Sequence, residues 1–276
     1  MIAWITLLLL AYVRIGTVQT NQPTPFHRII GGTDSKDGAA PYLVALFQNG
    51  HFLCGGSIIT NRWILTAAHC VTSLTPSNGV ISAGSNSVNK GKIFSINRVV
   101  PYSEYDTYNL EDDIALVRLT APLVFGKRVK KIRLSTETIP LNASLTLVGW
   151  GDIGQNREQP RTLQTISLRN IGLDRCREMY DGYLKLQFSI YDGNLCTYNK
   201  INQGTCYGDS GSPLVWKGRQ VGVVNWSEEC AQGYPDVHAR VAYFFPWIRR
   251  IIARDEKHVE RMEFSNRNVT GDVEID

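Results

Sequence analysis

Beyond its first residues the sequence has no apolar run long enough to span a membrane, which takes roughly 20 residues. The apolar stretch from Met1 to Val13 is itself too short, and Arg14 with small and polar residues follows it. That pattern predicts a secretory signal peptide over residues 1–19. No Cys-x-x-Cys pair occurs, so the close spacing that zinc sites use is missing and no metal is expected. Charge of one sign is also scarce. A net charge of +4 over 276 residues argues against a dedicated nucleic-acid binder. No internal repeat stands out, and one nucleotide motif is only apparent. Gly149-Trp150-Gly151-Asp152-Ile153-Gly154 matches G-x-G-x-x-G, but a polar loop follows it where the dinucleotide fold needs a helix.

With 43% apolar residues the chain can bury a substantial core, and its length allows one or two domains. Six cysteines behind an export signal imply an oxidising compartment and disulfides, which spacing alone leaves free to pair in many ways. Short apolar runs between polar turns favour β structure. A hairpin with an Asn49-Gly50 turn is expected over 42–59, and strands over 62–68, 79–83, 93–100, 114–119, 145–148, 163–168, 213–216 and 220–226. Such spacing indicates a sandwich or barrel. Helices are expected over 173–180 and 241–252, the second tolerating Pro246 near its start. Residues 254–276 carry four basic against seven acidic residues and read as a charged, non-helical extension. The densest basic run, Lys127-Arg128-Val129-Lys130-Lys131-Ile132-Arg133, reads first as a solvated connector and second as a polyanion contact. A polar segment with Pro23 and Pro25 ends at Arg28, and Ile29-Ile30-Gly31-Gly32 follows, so Arg28 is a natural processing site.

The chemistry centres on Gly208-Asp209-Ser210-Gly211, where a hydroxyl is presented on a turn of small residues. Gly208 leaves its backbone N–H free to meet a developing oxyanion. A serine needs a base to take its proton and a third group to orient that base. Thr66-Ala67-Ala68-His69-Cys70 offers the histidine at the end of an apolar run, and Asp112-Asp113-Ile114-Ala115-Leu116 offers two adjacent carboxylates before a strand.

Ala-Ala-His-Cys, Asp-Ile-Ala-Leu and Gly-Asp-Ser-Gly, in this order, resemble the trypsin/chymotrypsin-type serine protease family over residues 29–253. The resemblance implies an all-β fold of two packed antiparallel six-stranded β-barrels with a C-terminal helix. It also implies Ser210 as nucleophile, His69 as general base and acid, Asp113 (not Asp112) as the orienting carboxylate, and the N–H groups of Gly208 and Ser210 as oxyanion hole. Cleavage after Arg28, removing a propeptide over 20–28, would free the ammonium of Ile29 to pair with Asp209. The implied disulfides are Cys54 with Cys70, Cys176 with Cys196, and Cys206 with Cys230. No cofactor is expected, and the calcium loop of the family is not, because 84–92 holds no glutamate.

The same resemblance places the substrate pocket among Gly204, Asn225, Trp226, Ser227, Asp236 and His238. Gly204 stands where trypsins carry a floor aspartate, so large apolar or aromatic residues are expected before the scissile bond, as in the insect chymotrypsin-like branch. Basic specificity through Asp236 is the alternative, with neutralisation of Asp236 by His238 weighed against it. Ser212 replaces a usual glycine, and Asn225 the serine that usually supports the orienting aspartate. Expected partners are protein or peptide substrates, an activating protease and serine protease inhibitors, acting on a secreted monomer with glycosylation signals at Asn142, Asn225 and Asn268. A non-catalytic binding protein of the same fold is a second function class. An α/β-hydrolase esterase is a third, for which Gly208-Asp209-Ser210-Gly211-Ser212 and an early His69 do not fit.

Overall fold

A computed structural model describes residues 29–153, 159–160, 162–181 and 189–269. The segments expected to be a signal peptide and a propeptide ending at Arg28, together with Gly154 and residues 270–276, therefore lie outside the described residues. After β1 (Thr33–Asp34) the chain forms β2 (Leu43–Gln48), β3 (His51–Ile58), β4 (Trp63–Thr66), β5 (Gly79–Ala83), β6 (Lys92–Pro101) and β7 (Ala115–Leu119). These six close an antiparallel barrel in the order β2-β3-β4-β7-β6-β5. Asn49 and Gly50 at φ 50° and 82° form the tight β2–β3 turn that the Asn-Gly pair implies.

The second half contains β8 (Arg133–Leu134), β9 (Ser144–Gly149), β10 (Gln164–Arg169), β11 (Asn194–Thr197), β12 (Pro213–Trp216), β13 (Arg219–Ser227) and β14 (Asp236–Arg240). With β1 they make an eight-stranded sheet ordered β1-β10-β9-β12-β13-β14-β11, to which β8 adds in parallel beside β13. Six of these strands, β10 to β11 along that path, come round on themselves. A single bridge between Asn170 and Thr197 joins the two ends, with Tyr198 N–H donating to the Arg169 carbonyl at 3.0 Å. This second barrel is thus closed by a short seam, whereas in the first every joint is a strand-to-strand ladder, the shortest being the two-residue pairing of β3 with β4.

Strands β11 and β14 escape a reading of the sequence. Asn194-Leu195-Cys196-Thr197 is buried throughout and so has no polar–apolar alternation, and β14 turns the polar residues Asp236 and His238 inward. Helix α1 (Leu173–Tyr180) falls where expected. Helix α2 does not stop at residue 252; it runs from Val241 to Val269, which corrects the expectation of a non-helical extension from 254. One physical reason lies at Asp255, whose carboxylate takes Arg118 Nε at 2.6 Å and Arg98 Nη2 at 3.6 Å, pinning the added turn to the first barrel. Phe244, Trp247 and Ile248 of α2 pack with Val215, Val223 and Ala239 into the core shared with the first barrel. Ile29 is fully buried with Leu145, Leu147, Leu168 and Leu214 of the second. No described helix is long and apolar enough to cross a membrane.

Candidate active site

His69 lies in a single 3-10 turn that follows β4, and the Cys54–Cys70 disulfide ties that turn to β3. Its backbone N–H donates to Asp113 Oδ1 at 2.8 Å and its Nδ1 meets Asp113 Oδ2 at 2.7 Å. Two bonds from one carboxylate fix both the position and the plane of the ring. With Nδ1 as donor, Nε2 is left as the lone-pair acceptor that a general base needs. Asp113 is 2% exposed just ahead of β7, and Asn225 Nδ2 donates to its Oδ2 at 2.6 Å and also to its backbone carbonyl. Asn225 Oδ1 in turn accepts the N–H of Ala239, so the amide is held at both ends. Burial alone pulls the His69 pKa down, but the charge and hydrogen bond of Asp113 outweigh it and the net direction is up from 6.5. Asp112 turns the other way at φ 53°, and its Oδ1 accepts the hydroxyl of Tyr191 at 2.7 Å.

The serine turn is anchored from several sides. Gly55 N–H donates to the Ser210 carbonyl at 2.8 Å and Gly211 N–H to the Val224 carbonyl at 2.7 Å. A side chain at Gly211 would collide with Thr66 Oγ1 at 2.2 Å and the Gly55 carbonyl at 2.3 Å, so only glycine lets the turn approach β3 and β4 this closely. Gly208 adopts φ 90°, a region glycine enters without strain. Among the described residues neither Gly208 N–H nor Ser210 N–H donates to a protein acceptor, which leaves both for a ligand. Ser210 Oγ lies 3.5 Å from the Asn225 carbonyl, and no hydrogen bond joins it to His69 among the described residues. Such bonds commonly tighten only when substrate is present.

Asp209, fully buried, accepts the N–H groups of Gly151 at 2.9 Å and Cys206 at 3.1 Å. Burial raises its pKa to about 7. No hydrogen bond joins it to Ile29 among the described residues. Ser212 Oγ is buried nearby with no hydrogen-bond partner among the described residues.

Beside Ser210 opens a cleft lined by Thr205, Cys206, Tyr207, Ser210, Val224, Asn225, Trp226, Ser227 and Cys230. Of the expected pocket residues, Asn225, Trp226 and Ser227 line it; Gly204, Asp236 and His238 lie behind it. The reason is Thr205, whose N–H and Oγ1 donate to Asp236 Oδ1 at 3.1 and 2.7 Å and so stand between that carboxylate and the cleft. Gly204 makes room for the arrangement, since a Cβ there would come within 3.0 Å of Asp236 Oδ2. Burial raises the Asp236 pKa to about 7. His238 does not pair with it: its Nε2 meets Thr197 Oγ1 at 2.8 Å, and burial lowers its pKa to about 3, which keeps it neutral. Thr205 and Tyr180 were not singled out from the sequence. Tyr180 packs on Trp226 at a ring separation of 5.4 Å and bonds the Pro235 carbonyl at 2.5 Å, bracing the cleft wall. A threonine beside a cysteine and a tyrosine at a helix end carry no motif that marks them.

The three disulfides pair as the resemblance implied, 54–70, 176–196 and 206–230. The cluster of Cys54, His69 and Cys70 offers no metal site, because both sulfurs are spent in a disulfide.

The sequence pattern of the family described as Trypsin matches residues 29–248. Chymotrypsin-2 of Vespa crabro is 35% identical over 224 residues, covering 80% of this chain and 99% of its own. Serine protease SP24D of Anopheles gambiae is 33% identical over 82% of each chain, and trypsin delta of Drosophila erecta 35% over 81% of this chain and 88% of its own. Among solved structures, neuropsin, a serine protease expressed in the limbic system of mouse brain, superposes with a TM-score of 0.73 at 26% identity, covering 80% of this chain and 98% of that one. Fold, motif order and kinship agree, and the chain belongs to the trypsin family of serine endopeptidases.

Proposed function

We infer that the protein is a secreted precursor, cut after Arg28, that hydrolyses peptide bonds through Ser210, His69 and Asp113. The observation that carries this reading is the His69–Asp113 pair at 2.7 Å, held from behind by the side chain of Asn225, whose own backbone carbonyl lies 3.5 Å from Ser210 Oγ. Ser210 Oγ attacks the scissile carbonyl while His69 Nε2 takes its proton, and Asp113 stabilises the resulting imidazolium. The N–H groups of Gly208 and Ser210 receive the oxyanion. His69 then gives the proton to the leaving amine, and water reverses the sequence on the acyl-enzyme. The freed ammonium of Ile29 pairs with Asp209, a buried carboxylate that has no cationic partner among the described residues. The backbone of Asn225 to Ser227 binds substrate as an added antiparallel strand. Glycans at Asn142 and Asn268, an activating protease, serine protease inhibitors and a monomeric state complete the reading.

Large apolar or aromatic residues are the preferred side chains before the cut. This rests on Thr205, which occupies Asp236 Oδ1 between that carboxylate and the cleft, and on burial, which disfavours the charged form of the carboxyl. The relatives bear both chymotrypsin and trypsin names, so the pocket and not kinship supports the preference. Basic specificity has one observation in its favour, the closeness of Asp236 to the Gly204 backbone. Profiling the activated protein on a peptide library distinguishes the two: kcat/KM is expected to be highest for Phe, Tyr or Leu, and dominance of Lys or Arg that vanishes in Asp236→Asn would reverse the assignment. Ser210→Ala is expected to lower kcat by about 10^6. Unchanged hydrolysis by that variant would refute the triad, and the bystander reading fails if a serine-directed phosphonate labels Ser210.

A further inference from the structure

The basic residues gathered over 127–133 take no part in the chemistry above, and the fold places them in a definite array. Lys130 N–H donates to the Pro41 carbonyl at 2.9 Å and Ile132 N–H to the Ile58 carbonyl at 2.8 Å, which holds this connector extended against the first barrel. Ile132 is buried, so Lys131 and Arg133 on either side of it point outward. Strand β8 then pairs in parallel with β13, Arg133 opposite Arg219. Paired residues of neighbouring strands share a face about 4.8 Å apart, so these two guanidinium stems stand side by side. The β12–β13 hairpin adds Lys217, with Nζ 4.2 Å from the Trp216 ring. Among the described residues Lys127, Lys130, Lys131, Arg133, Lys217 and Arg219 have no carboxylate partner; Arg128 alone of the run is paired, with Asp37.

We propose that this face is a docking site for a linear polyanion of the sulfated-polysaccharide class. Like charges held in a row by backbone hydrogen bonds repel one another and create a single-sign field, which is the footprint such a ligand recognises. The charges form a compact two-segment patch, Lys131 and Arg133 along one segment and Arg219 beside Arg133 on the next, spaced by strand geometry at about 5–7 Å. A lipid surface is the poorer occupant, because membrane docking buries apolar area beside the charges, the apolar exposure of this connector is confined to Val124 and Phe125 at its start, and the Trp216 ring is covered by Lys217. The site is also separate from the cleft. Arg219 and Asn225 sit near opposite ends of β13, about 20 Å apart at the rise of an extended strand, so a bound chain tethers the enzyme and leaves the cleft open.

The test measures affinity of the full chain for heparin in about 0.1 M NaCl, where surface charges still act over about 10 Å. A Lys131→Ser, Arg133→Ser, Arg219→Ser variant is compared with a Lys90→Ser, Lys92→Ser, Lys200→Ser variant of identical net charge. The first is expected to bind about 100-fold more weakly and with a shallower salt slope, the second within about threefold of the parent. Thermal unfolding of both variants, unchanged, reports that they fold. Should the first triple fail to fold, Lys131→Ser alone is expected to lose about fivefold. Equal losses in both variants, no binding by the parent, or loss of phosphatidylserine-vesicle binding with heparin affinity intact would each overturn the proposal.

Discussion

At Asn225 the side chain turns away from the cleft to bind Asp113, while the backbone carbonyl of the same residue faces Ser210 Oγ. In the proposed mechanism the position therefore serves the orienting carboxylate and the substrate strand at once. Asn225→Ala removes a donor from a buried carboxylate, an interaction of about 1.5–3 kcal/mol, so kcat is expected to fall about 10–100-fold, with partial recovery in Asn225→Ser. A second readout separates positioning from mere destabilisation. The His69 pKa is raised by Asp113, so activity is lost as pH falls through a value above 6.5. Weakening the hold on Asp113 is expected to move that acid limb downward. A pH–kcat/KM profile checks both statements, and a limb below 6.5 in the parent contradicts the first. The choice of Asp113 over Asp112 followed from the motif, and the structure gives its reason: one carboxylate is buried toward His69, the other is bonded to Tyr191.

Among the elements, α2 shows how a contact made outside the helix sets its length. Residues after 253 lack a sustained apolar period, which is why the sequence points to an extension without structure there. Asp255 reaches Arg118 on β7 and Arg98 on β6, with both Asp255 and Arg118 nearly buried, and the pair lies between segments far apart in the chain. Asp255→Asn is expected to cost about 1 kcal/mol and to lower Tm by about 2–4 °C in calorimetry. A double-mutant cycle with Arg118→Met assigns the loss to this pair. Strands β11 and β14 are missed for a related reason: neighbours satisfy Thr197, Asp236 and His238 inside the barrel, so polarity there does not mark a solvent face.

For the whole molecule the decisive group is Asp209, buried between the serine turn and Gly151 with no ion pair among the described residues. Its folded pKa of about 7 lies above the unfolded value of 3.8. A carboxyl raised in this way stabilises the fold fully below the unfolded pKa, and that contribution is lost as pH rises toward 7. Pairing with a new ammonium reverses the shift, so cutting after Arg28 is expected to matter little for stability near pH 4 and much more near pH 7.5. Tm of the uncut and cut proteins, measured across that range, is expected to diverge with rising pH. Parallel curves would show that Asp209 is not the receiving group.

The family was legible in the sequence alone, because the residues proposed for catalysis sit in short local motifs whose order and neighbours mark it: His69 before Cys70, Asp113 before a strand, Ser210 after Gly208-Asp209 and before Gly211. The sequence by itself also determined most strands, where alternation or a turn pair such as Asn49-Gly50 is a local signal. Only the tertiary structure decided what depends on residues distant in the chain. Thr205 screens Asp236 from the cleft, Asn225 grips Asp113, Asp255 lengthens α2, and Arg133 comes to lie beside Arg219. Each of these is a contact between separate segments, and the free energy of such a contact is fixed by geometry that no local pattern encodes.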